Sequence, residues 1–92
     1  IDNIIEEICQ NEEVEFDKVI SKTKVQKISD IRKAIVLLCE RYCDISKKEV
    51  ASKLNLPQSM VSKIISGTSR GTSYVQDVMR RWEEMDGEKV RE

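Results

Sequence analysis

The side chains best suited to chemistry in this 92-residue chain surround an aliphatic pattern between Ser46 and Ser66. They are Lys47, Lys48, Gln58, Ser59, Ser62 and Lys63. These are hydrogen-bonding groups of the kind that read a duplex: Gln pairs bidentately with adenine, Ser reaches a base edge or a phosphate, and Lys reaches guanine or a phosphate. The pattern beneath them has a definite order. Ser46 and Glu49 form a capping box, S-x-x-E, at the head of a helix that turns Val50, Ala51 and Leu54 inward. Asn55 tolerates the left-handed conformation that ends helices, and Pro57 suits the first position of the next one. In that second helix Met60, Val61, Ile64 and Ile65 point to the core by spacing. Gln58, Ser59, Ser62 and Lys63 point away. Small Ala51 lets the two helices cross closely. The spacing therefore predicts a helix-turn-helix over residues 46–66, whose second helix can enter a major groove about 12 Å wide.

Other chemistries are poorly supplied. Cys39 and Cys43 stand four apart on one helix face, but the chain has no histidine and Cys9 is distant, so a tetrahedral zinc site is incomplete. Buried structural thiols are expected, with no metal and no cofactor. The acidic pairs Glu6-Glu7, Glu12-Glu13 and Glu83-Glu84 have no nucleophile, glycine-rich phosphate loop or apolar pocket beside them and read as solvated. Tyr42 falls on an apolar arc and reads as core. No enzyme is expected.

The net charge of −1 hides a strong asymmetry. Residues 1–20 carry one Lys and seven acids, residues 21–73 eleven bases and four acids, and residues 74–92 four bases and six acids. The central segment is thus +7 between two acidic ends. Screening over about 10 Å lets a polyanion respond to that local charge more than to the total. Part of it lies in a basic loop, Ser21 to Lys27, that holds Lys22, Lys24 and Lys27, with Arg32 following.

Helices must position all of these groups. Ile1, Ile4, Ile5 and Ile8 recur at helical spacing over residues 1–10. A short turn or helix then inserts Phe16. Ser29 is a plausible N-cap for a central helix whose wide apolar arc includes Ile31, Ala34, Ile35, Leu38 and Tyr42. Gly67 ends the second helix of the pair. A last helix carries Val75, Val78, Met79, Trp82 and Met85, and residues 86–92 read as frayed. One proline, three glycines and no strand-like alternation predict a single all-α domain over 1–92, a bundle of about five to six helices.

The order of these features resembles a known family. The initial helix, the loop Ser21-Lys22-Thr23-Lys24, the helix Arg32-Lys33-Ala34-Ile35-Val36-Leu37-Leu38 and Ser46-x-x-Glu49-Val50-Ala51 are similar to the C-terminal DNA-binding domain of the bacterial replication initiator DnaA, over roughly residues 1–66. The resemblance implies a Trp-repressor-like fold. It also implies that Lys22, Lys24, Lys27 and Arg32 clasp the DNA backbone or minor groove while the second helix of the pair reads the major groove. The initiator's Arg-Asp-His-Thr signature is replaced here by Leu56-Pro57-Gln58-Ser59-Met60-Val61-Ser62-Lys63. Its segment Ser59-Met60-Val61-Ser62-Lys63 resembles DnaA-like domains appended to transposases associated with repetitive extragenic palindromes.

Sequence-specific double-stranded DNA binding is the expected function, and a protein-interaction or dimerisation module is the alternative. A second copy of the chain is a candidate partner, since helix-turn-helix proteins often bind as dimers. No membrane partner is expected: the longest apolar run, Ala34 to Cys39, is far below the ~20 residues of a span, and the acidic start lacks the basic residues of a signal peptide. Three cysteines cannot all pair, which points to the reducing cytoplasm. The start at Ile1 reads as a segment of a longer protein.

Overall fold

The computed structural model describes residues 2–21, 23 and 25–90, with side chains for 3–21, 23 and 25–85. Six helices and no strand occur among these residues: α1 (Asp2–Asn11), α2 (Phe16–Ile20), α3 (Gln26–Tyr42), α4 (Lys47–Leu54), α5 (Gln58–Ser66) and α6 (Tyr74–Val90). The chain is an all-α bundle. Helix α3 is its axis and touches every other helix. Ile31, Ala34, Ile35 and Leu38 on α3 are fully buried, and Ile8, Val19, Leu54, Val61, Val75 and Val78 close on them from the five surrounding helices.

Three of the helices end in the same way, each on a residue that must accept a positive φ. Glu13 (φ 56), Asn55 (φ 55) and Gly67 (φ 86) take the left-handed conformation. Each lets the next amide bond back to a carbonyl five residues earlier: Val14 N–H to Cys9 O, Leu56 N–H to Ala51 O and Thr68 N–H to Lys63 O. This is the Schellman closure, which satisfies carbonyls that a helix end otherwise leaves unpaired. Asn55 and Gly67 fill their roles as expected; a glutamate at the first position is the unusual member.

Several boundaries and orientations differ from expectation. Helix α3 begins at Gln26 rather than after Ser29, because Gln26 Nε2 donates to Asp30 Oδ1 at 2.7 Å and draws an extra turn onto the helix. Asp30 itself is buried and also accepts from the Thr72 hydroxyl and, at 3.4 Å, from Thr72 N–H. The preceding Gly71 has φ 71, and a Cβ there would lie 2.5 Å from Asp30 Oδ1. Phe16, Tyr42 and Met85 are expected inside and are exposed; α2 is a single short turn and Tyr42 is the last residue of α3. The Tyr42 ring instead tilts against buried Trp82, centroids 5.2 Å apart, and its hydroxyl donates to Glu83. Helix α6 continues through residues 86–90 instead of fraying there; residues 91–92 of that expectation lie outside the described residues.

Glu12 is the clearest departure. Expected in solvent, it is 8% exposed and receives two hydrogen bonds from Arg81, at 2.9 and 2.7 Å, and one from the Tyr74 hydroxyl at 2.6 Å. The Arg81 guanidinium also lies 5.6 Å from the Tyr74 ring centre. This cluster fastens the end of α1 to α6. Burial disfavours the charged carboxyl, but the hydrogen bonds from Arg81 and Tyr74 and the charges of Arg81 and Lys27 outweigh it, so Glu12 titrates below its ordinary value. A depressed folded-state pKa contributes stability that is complete above the unfolded value and is lost as pH falls through the folded one. Glu12→Gln is expected to cost about 1–3 kcal/mol at neutral pH. In urea titrations across the acid range, the variant's stability should fall less than wild type's below the ordinary glutamate pKa; parallel curves would remove Glu12 from the acid response.

Candidate nucleic-acid interface

Helices α4 and α5 pack against each other and are joined by three residues, at the place where the helix-turn-helix is expected. Ser46 Oγ accepts from Glu49 N–H at 3.2 Å and caps α4. Ala51 is 5% exposed, small enough for the close crossing of the two helices. Val50, Leu54, Val61 and Ile64 are buried around the joint, with Leu56 packed against them. Pro57 sits one residue outside α5, as its N-cap, rather than as its first residue.

This packing leaves one side of α5 to solvent. Gln58, Ser59 and Lys63 are exposed and Ser62 is half-buried, while Lys47 and Lys48 are exposed at the start of α4. Met60, assigned to the core by spacing, is 37% exposed. It borders a crevice of about 110 Å³ where α5 meets the first turns of α3, together with Ser29, Lys33, Leu56, Ile64 and Ser69. Lys33, in that crevice, donates from Nζ to Ser29 Oγ at 2.7 Å. Exposed Arg70 donates from Nε to Gly67 O at 3.0 Å, just beyond the end of α5. Lys33, Met60 and Arg70 were not assigned to the site from sequence; only the charges of Lys33 and Arg70 within the basic segment pointed to them.

Two polar tethers hold the end of α2 and the chain that follows it. Asn55 Nδ2 donates to Ile20 O at 3.1 Å, so the residue that makes the turn also holds the end of α2 beside it. Arg32 supplies the second tether. Its Nε donates to Val19 O at 2.5 Å, Nη1 to Thr23 O at 3.2 Å, and Nη2 to Ser21 O and, at 3.5 Å, to Lys18 O. It is 8% exposed, and burial lowers its pKa from the ordinary arginine value. Arg32 was expected to reach DNA alongside the loop. Its donors are instead occupied by carbonyls of α2 and of the loop, because a guanidinium fork near the start of α3 can satisfy several carbonyls at once.

The remaining predicted residues divide. Lys22 and Lys24 lie outside the described residues. Lys27 is exposed in the first turn of α3, on the side that faces Tyr74, where its charge acts on Glu12. No side chain caps α3 or α5, and neither has an acid in its first turn.

No protein-family model, curated protein or solved structure matches the chain. Cys9, Cys39 and Cys43 carry free thiols, and burial followed by the neighbouring Cys43 pushes Cys39 up to about 12, far from a reactive thiolate. Among the described residues no three His, Cys, Asp or Glu side chains are grouped to hold a metal. No helix among them is long and apolar enough to cross a membrane.

The tether makes a specific demand on Arg32. Arg32→Ala leaves a buried carbonyl at Val19 without its donor and is expected to cost about 1–3 kcal/mol. Arg32→Lys should recover little, since one ammonium cannot span the four carbonyls. Amide hydrogen exchange at residues 18–23 should accelerate in both variants; a lysine variant as protected and as stable as wild type would show that charge alone holds the loop.

Proposed function

We propose that this chain is a sequence-specific double-stranded DNA-binding domain. In this reading α5 enters the major groove, with Gln58, Ser59, Ser62 and Lys63 toward base edges and phosphates and Lys47 and Lys48 toward the flanking backbone. The basic loop, with Lys22, Lys24 and Lys27, supplies further phosphate contacts. One observation carries most of the weight: Asn55, which makes the turn between α4 and α5, also bonds to Ile20 O at the end of α2, the residue after which the basic segment begins. The acidic α1 does not touch α5, which keeps the strongest negative charge from crowding the proposed contact. The wider setting we propose is the DNA-recognition part of a DnaA-like or transposase-related protein of the cytoplasm.

A second reading, a protein-interaction or dimerisation module, is favoured by exposed Phe16 in a groove with Ile5, Glu6, Cys9 and Gln10 on the α1 side. Retention on nonspecific duplex separates the two. DNA binding predicts retention that falls steeply with salt, whereas an interaction module predicts none. Replacing Lys22, Lys24 and Lys27 together with Ala should flatten the slope of log affinity against log salt by up to about three units. An unchanged slope would take the loop out of the interface. Selection from a randomised duplex pool tests α5: Gln58→Ala or Ser59→Ala should lose about 1–3 kcal/mol of discrimination at one or two positions with little change in melting temperature. Identical motifs for wild type and both variants would show that another element does the reading.

A further inference from the structure

Helical spacing gives Met60 to the core, yet it stands 37% exposed in the first turn of α5, between Ser59 and the lysine one turn on. It is the one large apolar side chain among the exposed residues of that helix, whose other exposed members are Gln58, Ser59, Lys63 and Ser66. An exposed thioether at this place gives up burial that Val61 and Ile64, its neighbours one position and one turn on, obtain in full. The crevice beside it, bordered by Ser29, Lys33, Leu56 and Ile64, leaves space into which an unbranched, flexible side chain can move.

The major groove presents one apolar group, the C5-methyl of a pyrimidine. The geometry points to Met60 as the reader of that methyl, a specificity determinant that acts by apolar contact beside the hydrogen-bonding Ser59 and Lys63. The inference rests on α5 being the recognition helix. The N-terminal part of such a helix is the part that reaches base edges, and Met60 lies within it. Contact would remove the methyl and the thioether from water together, and the polarisable side chain adapts to the methyl without a fixed hydrogen-bond direction. Thymine and 5-methylcytosine both carry the group, so the chemistry is shared and the base is settled by experiment.

The test begins with the duplex that wild type selects from a randomised pool. Deoxyuridine is then placed for each thymidine in turn, which removes the methyl and keeps the pairing. Wild type and Met60→Leu are expected to bind about fourfold more weakly at one or two positions, the worth of one buried methyl, and Met60→Ala to show no loss at those positions. Met60→Ala should melt close to wild type because the side chain is already partly exposed. If deoxyuridine is neutral everywhere but 5-methylcytosine binds more tightly than cytosine at one position in wild type alone, the methylated base is the source and the inference stands. If Met60→Ala remains as sensitive to the methyl as wild type, or if no methyl matters, the inference is overturned while the reading of α5 survives. If wild type selects no motif, both fall.

Discussion

Two buried charges near the start of α3 govern how the irregular parts of this chain are held. Arg32 spends its guanidinium on carbonyls between Lys18 and Thr23, and Asp30 receives Gln26 and Thr72. A buried ion is tolerated only when hydrogen bonds replace its water, and here the replacements come from the segments on either side of the helix. The basic loop before α3 and the 70–73 linker before α6 are therefore pinned to one rigid element. Gly71 completes the arrangement, since its positive φ and missing Cβ let the linker come against Asp30. What the tethers provide is position rather than bulk stability, which belongs to the aliphatic side chains around Ile31, Ile35 and Leu38.

The same economy of polar contacts separates the two sides of the molecule. Glu12 gives its charge to Arg81 and Tyr74 and joins α1 to α6, and burial together with the Glu12 hydrogen bond pushes the Tyr74 hydroxyl up to about 12, so it remains a donor. The acids at Glu6, Glu13, Glu15 and Asp17 stay exposed around α1 and α2. The exposed lysines of α4 and α5 lie on helices that α1 does not touch. The acids of α1 are thus kept off α4 and α5, although α2 touches α4, and the proposed DNA contact depends on that local distribution more than on the total.

Periodicity made the helices legible because burying an aliphatic stripe is a local requirement repeated every three or four residues. Punctuation was legible too: Ser46, Asn55 and Gly67 act through bonds to amides or carbonyls within a few residues of themselves. The candidate site was only partly readable. Gln58, Ser59 and Lys63 are exposed as their spacing indicates, but Met60 has the hydropathy of a core residue and is partly outside. Arg32 carries the charge of a phosphate ligand and is occupied within the protein. Type and spacing do not distinguish these cases, because the difference lies in which distant segment arrives beside the side chain.

The amino-acid order alone thus determined the all-α class, the helix-turn-helix spacing and the central concentration of positive charge, each a property of neighbours along the chain. Tertiary packing decided the rest. It buried Glu12 against residues 62 and 69 positions away, set Thr72 on Asp30 across 42 positions, and tied Asn55 to Ile20 across 35. A charged or amide side chain will serve equally well in water, on a ligand or on a distant carbonyl, and its desolvation and hydrogen-bond partners are fixed only when the helices close around α3.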